Sequence, residues 1–129
     1  MTDGVGEILD EMSLSTLTKI LRTLETAVDE LGANTPIRQV MALIVVAIAN
    51  KAERPVGVRD VDRELGDLKS GTASKLLRSM MHVETERKPG VANTIRSERD
   101  PLDLRRWDLF VTSKGADALA KITKAAEGK

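Results

Sequence analysis

The 129-residue chain has no cysteine, no tyrosine, one histidine, one tryptophan and one phenylalanine. Without cysteine there is no disulfide, no thiolate redox chemistry and no cysteine-built zinc site, and one histidine leaves a protein-built metal centre short of ligands. Net charge is also missing: 20 basic and 20 acidic side chains cancel, so no global electrostatic argument favours a nucleic-acid partner. Nor is there a long hydrophobic run. The strongest, Val40 to Ala49, lies between Arg38 and Lys51 and falls far short of the ~20 residues a membrane-spanning helix needs. Acidic Asp3, Glu7, Asp10 and Glu11 fill the region where a signal peptide carries positive charge, so a cytoplasmic protein is expected. A nucleophile with its base, a glycine-rich phosphate loop and an acidic cluster at metal spacing are absent too. Asp60, Asp62 and Glu64 read as the exposed side of a helix, and no enzyme, metal or cofactor is expected.

What is present fits one domain spanning residues 1–129. Its charge is unevenly spread: residues 1–50 carry three basic and seven acidic groups, whereas residues 69–106 carry nine basic and five acidic. Leu14, Leu17, Leu21, Leu24, Val28 and Leu31 are spaced 3, 4, 3, 4 and 3, one continuous stripe along a helix over 14–31. The stripe reads either as packing into its own domain or as a dimer seam. Whether this helix already begins near Gly4 or restarts at a cap on Ser13 or Ser15 stays open. Gly32 and Asn34 close it, and Thr35 with Pro36 opens the next as N-cap and first turn. Residues 37–50 are apolar almost all round, as in a central core helix, and Val56 falls where a short strand would precede the next motif.

Two short amphipathic segments follow, together forming a helix-turn-helix over 58–82. Val58, Val61 and Leu65 share one face of the first, and Gly66 and Asp67 break it. In the second, 71–82, Ala73, Leu76, Leu77 and Met80 face the core, with Ser70 or Thr72 as cap. Thr72, Ser74, Lys75, Arg78 and Ser79 face outward, where small residues allow close approach to a groove and the cations reach phosphates or bases. His82 reads as a surface residue. Residues 92–111 read as a β-hairpin whose turn holds Asp100, Pro101, Asp103, Arg105 and Arg106. That spacing lets a carboxylate hold one arginine while another reaches a phosphate or the minor groove. Trp107 reads as a strand anchor packed on the domain, and Thr112 starts a last helix with Gly115 just inside.

The order stripe helix, proline-led helix, helix-turn-helix, hairpin and terminal helix resembles the MarR family of winged-helix regulators over roughly residues 14–122. DPLDLRR at 100–106 is similar to the family's D-x-x-D-x-R wing signature, and LFVTSKG at 109–115 to its strand and L-T-x-K-G helix start. The resemblance implies a mainly α fold with a small β-wing, a winged helix-turn-helix, acting as a homodimeric transcription regulator on double-stranded DNA. It further implies 71–82 as recognition helix in the major groove and Arg105 and Arg106 in the adjacent minor groove, with Ser70, Thr72, Ser74, Lys75, Arg78 and Arg99 also toward DNA. Family members often take small aromatic effectors, but one Trp, one Phe and no Tyr supply such a pocket poorly.

Three departures stand out. Residues 83–99 form a longer connection than usual, with a turn at Lys88, Pro89 and Gly90. The sequence ends at Lys129, so the family's last helix is not expected, and dimerisation is expected to use the stripe with Leu119 and Ile122. Glu84 and Glu86 add negative charge just past the proposed recognition helix. A second reading keeps the fold without the DNA: a protein-interaction module, adaptor or inhibitor.

Overall fold

A computed structural model describes residues 4–69, 71–82 and 90–128. Ser70, Glu84, Glu86, Lys88 and Pro89 lie outside the described residues. Among those described, the chain is mainly helical, with six helices and one two-stranded antiparallel sheet, an architecture compatible with a winged helix. The order is α1 (Val5–Glu11), α2 (Leu14–Leu31), α3 (Ile37–Lys51), α4 (Val58–Glu64), α5 (Thr72–Met81), β1 (Ile95–Arg99), β2 (Trp107–Val111) and α6 (Ser113–Glu127). None of these helices is long and apolar enough to cross a membrane.

The open question at the N terminus resolves into two helices. Met12 is extended, and the Ser13 hydroxyl accepts the Thr16 N–H at 3.2 Å, capping α2 afresh. Within α2 the hydroxyls of Thr18, Thr23 and Thr26 donate to the carbonyls four residues back, so each is satisfied by its own helix. Thr35 does not cap α3. Its hydroxyl donates back to the Leu31 carbonyl, an otherwise orphaned acceptor at the end of α2, and Pro36 takes the cap position.

α3 lies at the centre, burying Ala42, Leu43, Val46 and Ala49 against the other elements. Val61 of α4, Leu77 and Met80 of α5, Ile95 of β1, Leu109 of β2 and Ile122 of α6 join them in one core. Asn50, the last polar residue of the apolar run, replaces a missing strand. Its Nδ2 donates to the Leu109 carbonyl at 3.1 Å and its Oδ1 accepts the Val111 N–H at 2.9 Å. The Leu109 N–H donates to the Val56 carbonyl at 2.8 Å, so Val56 meets β2 through one bond rather than a full strand. The outer edge of the hairpin is thereby satisfied by the core instead of by solvent.

At the start of α6, Thr112 accepts the Gly115 N–H at 3.1 Å, as an N-cap should. Gly115 has a further reason to be glycine, because a Cβ there would stand 2.3 Å from the Thr94 carbonyl oxygen. Thr94 is fully buried and ties α5 to the cap of α6 and to the loop before β1: its N–H donates to the Met80 carbonyl, its carbonyl accepts from the Thr112 N–H, and its hydroxyl donates to the Val91 carbonyl.

Candidate nucleic-acid interface

α5 provides one half of the candidate surface. Ala73, Leu77 and Met80 fix one edge in the core, and helical geometry then turns Ser74, Lys75, Arg78, Ser79 and His82 outward, all of them exposed. Thr72 is only half-exposed and does not cap the helix. Gly71 takes that place with φ of 83°, a left-handed conformation that disfavours any side chain. The rotational setting of α5 is fixed by Gln39 of α3, a buried polar residue in an otherwise apolar face. Its Nε2 donates to the Leu76 carbonyl at 3.1 Å and to the Ser79 hydroxyl at 2.6 Å. Among the described residues, the side chains of Lys75 and Arg78 have no ion-pair or hydrogen-bond partner. They line an open cleft of about 770 Å³ together with His82, Gln39 and the loop from Gly32 to Thr35.

The hairpin provides the other half. In its turn Asp100 accepts the Leu102 N–H at 2.8 Å and Asp103 accepts the Arg105 N–H at 3.1 Å, two local turns that preset the loop. Those carboxylates are therefore spent on backbone. The arginine clamp comes from elsewhere: Arg106 Nε donates to Asp108 at 2.7 Å, and its Nη2 donates to Asp60 of α4 at 3.3 Å. The same Asp60 oxygen accepts the Gly57 N–H at 2.8 Å, so one carboxylate caps α4 and holds the hairpin. The Asp108 hydrogen bond, opposed by burial and reinforced by the charges of Asp108, Asp60 and Asp100, raises the Arg106 pKa. Arg106 is thus held by two protein carboxylates, with its side chain 39% exposed. Arg105 differs sharply, with a side chain 95% exposed and Asp103 no closer than 3.6 Å.

Trp107 also departs from expectation. It is half-exposed rather than packed on the domain, and its ring lies 4.9 Å beneath the guanidinium of its cross-strand partner Arg99. Leu109, 1% exposed, is the strand's true anchor. A second cross-strand pair, Arg96 over Phe110 at 4.8 Å, was not foreseen, although the register Arg96 to Phe110 follows once the turn is placed. Cation–π stacking holds both guanidinium planes along the ribbon, and Arg96 is also ion-paired with Glu98.

The expected dimer residues divide in two. Leu14, Leu17, Leu21, Leu24 and Val28 are exposed, whereas Leu31 and Ile122 are buried in the chain's own core and Leu119 packs at its margin. Leu31 and Ile122 therefore serve the α2 and α6 packing and offer no side-chain surface to a second copy. Sequence reasoning also missed Gln39, Asn50 and Asp60. The only signal for the first two was a polar residue on the buried side of an apolar helix.

The structure brings Ser74, Lys75, Arg78 and His82 onto one face of α5, and Arg99 and Arg105 onto the hairpin. It links the two parts through Asp60, since α4 packs on α5. Compared with protein-family models, curated proteins and solved structures, the chain matches none.

Proposed function

We propose that the chain is a MarR-like winged-helix regulator that binds double-stranded DNA sequence-specifically as a homodimer. In this reading α5 enters the major groove with Ser74, Lys75 and Arg78, and the hairpin acts as the wing. The observation that carries it is the contrast in cation use. The clamp consumes Arg106, while Lys75 and Arg78 have no partner among the described residues and Arg105 projects 95% exposed from a loop preset by two Asp turns. Arg105 is then the minor-groove arginine, Arg106 its positioning residue, and Arg99 a phosphate contact steadied on Trp107.

A protein-interaction module remains the second reading, and one observation favours it: Leu102 at the hairpin tip is 96% exposed and Leu104 64%. Random-site selection at two salt concentrations, followed by mobility shifts, separates the two. An enriched inverted repeat with steep salt dependence supports the regulator. Weak binding with no enriched sequence, even at low salt, sinks it and turns attention to protein partners of the hairpin tip.

A further inference from the structure

Two leucines crown the hairpin. Leu102 is 96% exposed and Leu104 64%, and among the described residues no other large hydrophobic side chain stands as open to water as Leu102. Turn tips are ordinarily polar, because an apolar side chain held in water forgoes its burial free energy. The loop that carries these leucines is nonetheless firmly built. Asp100 accepts the Leu102 N–H and Asp103 the Arg105 N–H. The Asp100 N–H donates to the Arg106 carbonyl at 2.8 Å, the Arg106 N–H donates to the Asp103 carbonyl at 2.9 Å, and the ring of Pro101 fixes its own φ. A loop preset in this way presents its apolar side chains with little ordering cost on binding.

We infer that Leu102 and Leu104 form an apolar wedge that enters the minor groove beside Arg105, partly unstacks one base step and kinks the duplex. The inference rests on the DNA-binding reading above and adds a deformation of the DNA and a second source of sequence preference. Three observations select it. Chain geometry couples the leucines to the arginine. Leu104 directly precedes Arg105, so their Cα atoms are about 3.8 Å apart, and the minor groove is only about 6 Å wide. A loop seated deep enough for the Arg105 guanidinium to reach base edges therefore brings the adjoining leucine into the same groove, with Leu102 two residues back in the same turn.

The charges around the tip form the second observation. Arg105 is 95% exposed and Arg99 is held over Trp107, whereas the carboxylates of the loop, Asp100 and Asp103, already accept backbone N–H bonds. The third is that the tip is braced. Arg106 at its base is bonded to Asp60 of α4, and α4 packs on α5, whose Lys75 and Arg78 face outward. A protein pocket would account for the exposed leucines alone, while duplex DNA accounts for the leucines and the cations together. Unstacking is easiest at pyrimidine–purine steps, so the wedge selects TA or CA/TG where the tip sits, through deformability rather than hydrogen bonds.

The test compares the unmodified chain with a Leu102→Ser, Leu104→Ser double variant on the site enriched by selection. Both side chains are exposed, so the variant should fold, as circular dichroism would verify. The duplex carries a fluorescent donor and acceptor at its ends, and 2-aminopurine is placed at successive steps across the site. The unmodified chain should bend the duplex by at least ~20° and raise 2-aminopurine fluorescence at one pyrimidine–purine step. The double variant should bind on the order of tenfold more weakly, with the same salt slope because no charge is lost, and leave the duplex straight and the probe quenched. A straight duplex with a quenched probe under the bound unmodified chain overturns the wedge and leaves the DNA-binding reading intact. A double variant that bends the duplex as the unmodified chain does overturns it too, and assigns the leucines to a protein surface. If the unmodified chain enriches no site, the DNA-binding reading fails and the wedge fails with it.

Discussion

Arg105 and Arg106 are neighbours of identical chemistry with opposite surroundings, and that difference separates contact from support. Replacing Arg105 by alanine should weaken DNA binding and lower the slope of log affinity against log salt by about one, with an unchanged melting temperature. Replacing Arg106 should weaken binding and also lower the melting temperature, because Asp60 and Asp108 lose their shared cation. Since the Arg106 pKa is raised, its contribution is complete below the unfolded-state value and disappears only above the folded one, far into alkali. The Arg106 side of the clamp should therefore bring no pH dependence of melting near neutrality. Gly115→Ala should cost roughly 2 kcal/mol or more in chemical denaturation, because the new methyl group meets a backbone oxygen that is itself hydrogen-bonded to Thr112. Sequence reading caught the cap at Thr112 and the glycine after it. It could not assign the arginine clamp, since Asp60 lies 46 residues from Arg106 and only folding brings them together.

At the scale of elements, local pattern was a good guide wherever one face decides burial. α4, α5 and the hairpin fall inside the expected segments, and Val61, Leu77 and Met80 are buried as their spacing implies. The stripe on α2 was legible as a stripe, but not what covers it, because periodicity identifies an apolar face without naming its neighbour. Leu31 shows the limit well: it continues the same stripe, yet the chain turns at Gly32 and draws it into the core. Under the homodimer reading, Leu21→Asp with Leu24→Asp places carboxylates on the exposed apolar stripe of α2. The double variant should be monomeric by sedimentation, keep its helical content, and lose far more affinity for a two-half-site operator than for one half-site.

For the molecule as a whole, the zero net charge conceals a working asymmetry, since the acidic N-terminal half carries the apolar stripe and the basic segment carries α5 and the hairpin. Association through the α2 stripe would join the acidic parts of two copies. The melting temperature of such an assembly should rise with protein concentration, as mass action requires, and scanning calorimetry over a hundredfold range checks this. A mainly helical chain with one small hairpin could be read from the order of elements, but the attachment of the hairpin could not, because it rests on the side chain of Asn50. That attachment has a kinetic consequence. In β2 the Leu109 and Val111 amides point away from β1 and are held by Val56 and Asn50, while strand alternation turns the Asp108 and Phe110 amides toward β1. If β1 peels away, the second pair is released to solvent deuterium while the first stays locked to α3 and its approach. Alternate amides along five residues of one strand therefore time two separate events, the local opening of the hairpin and the unfolding of the core.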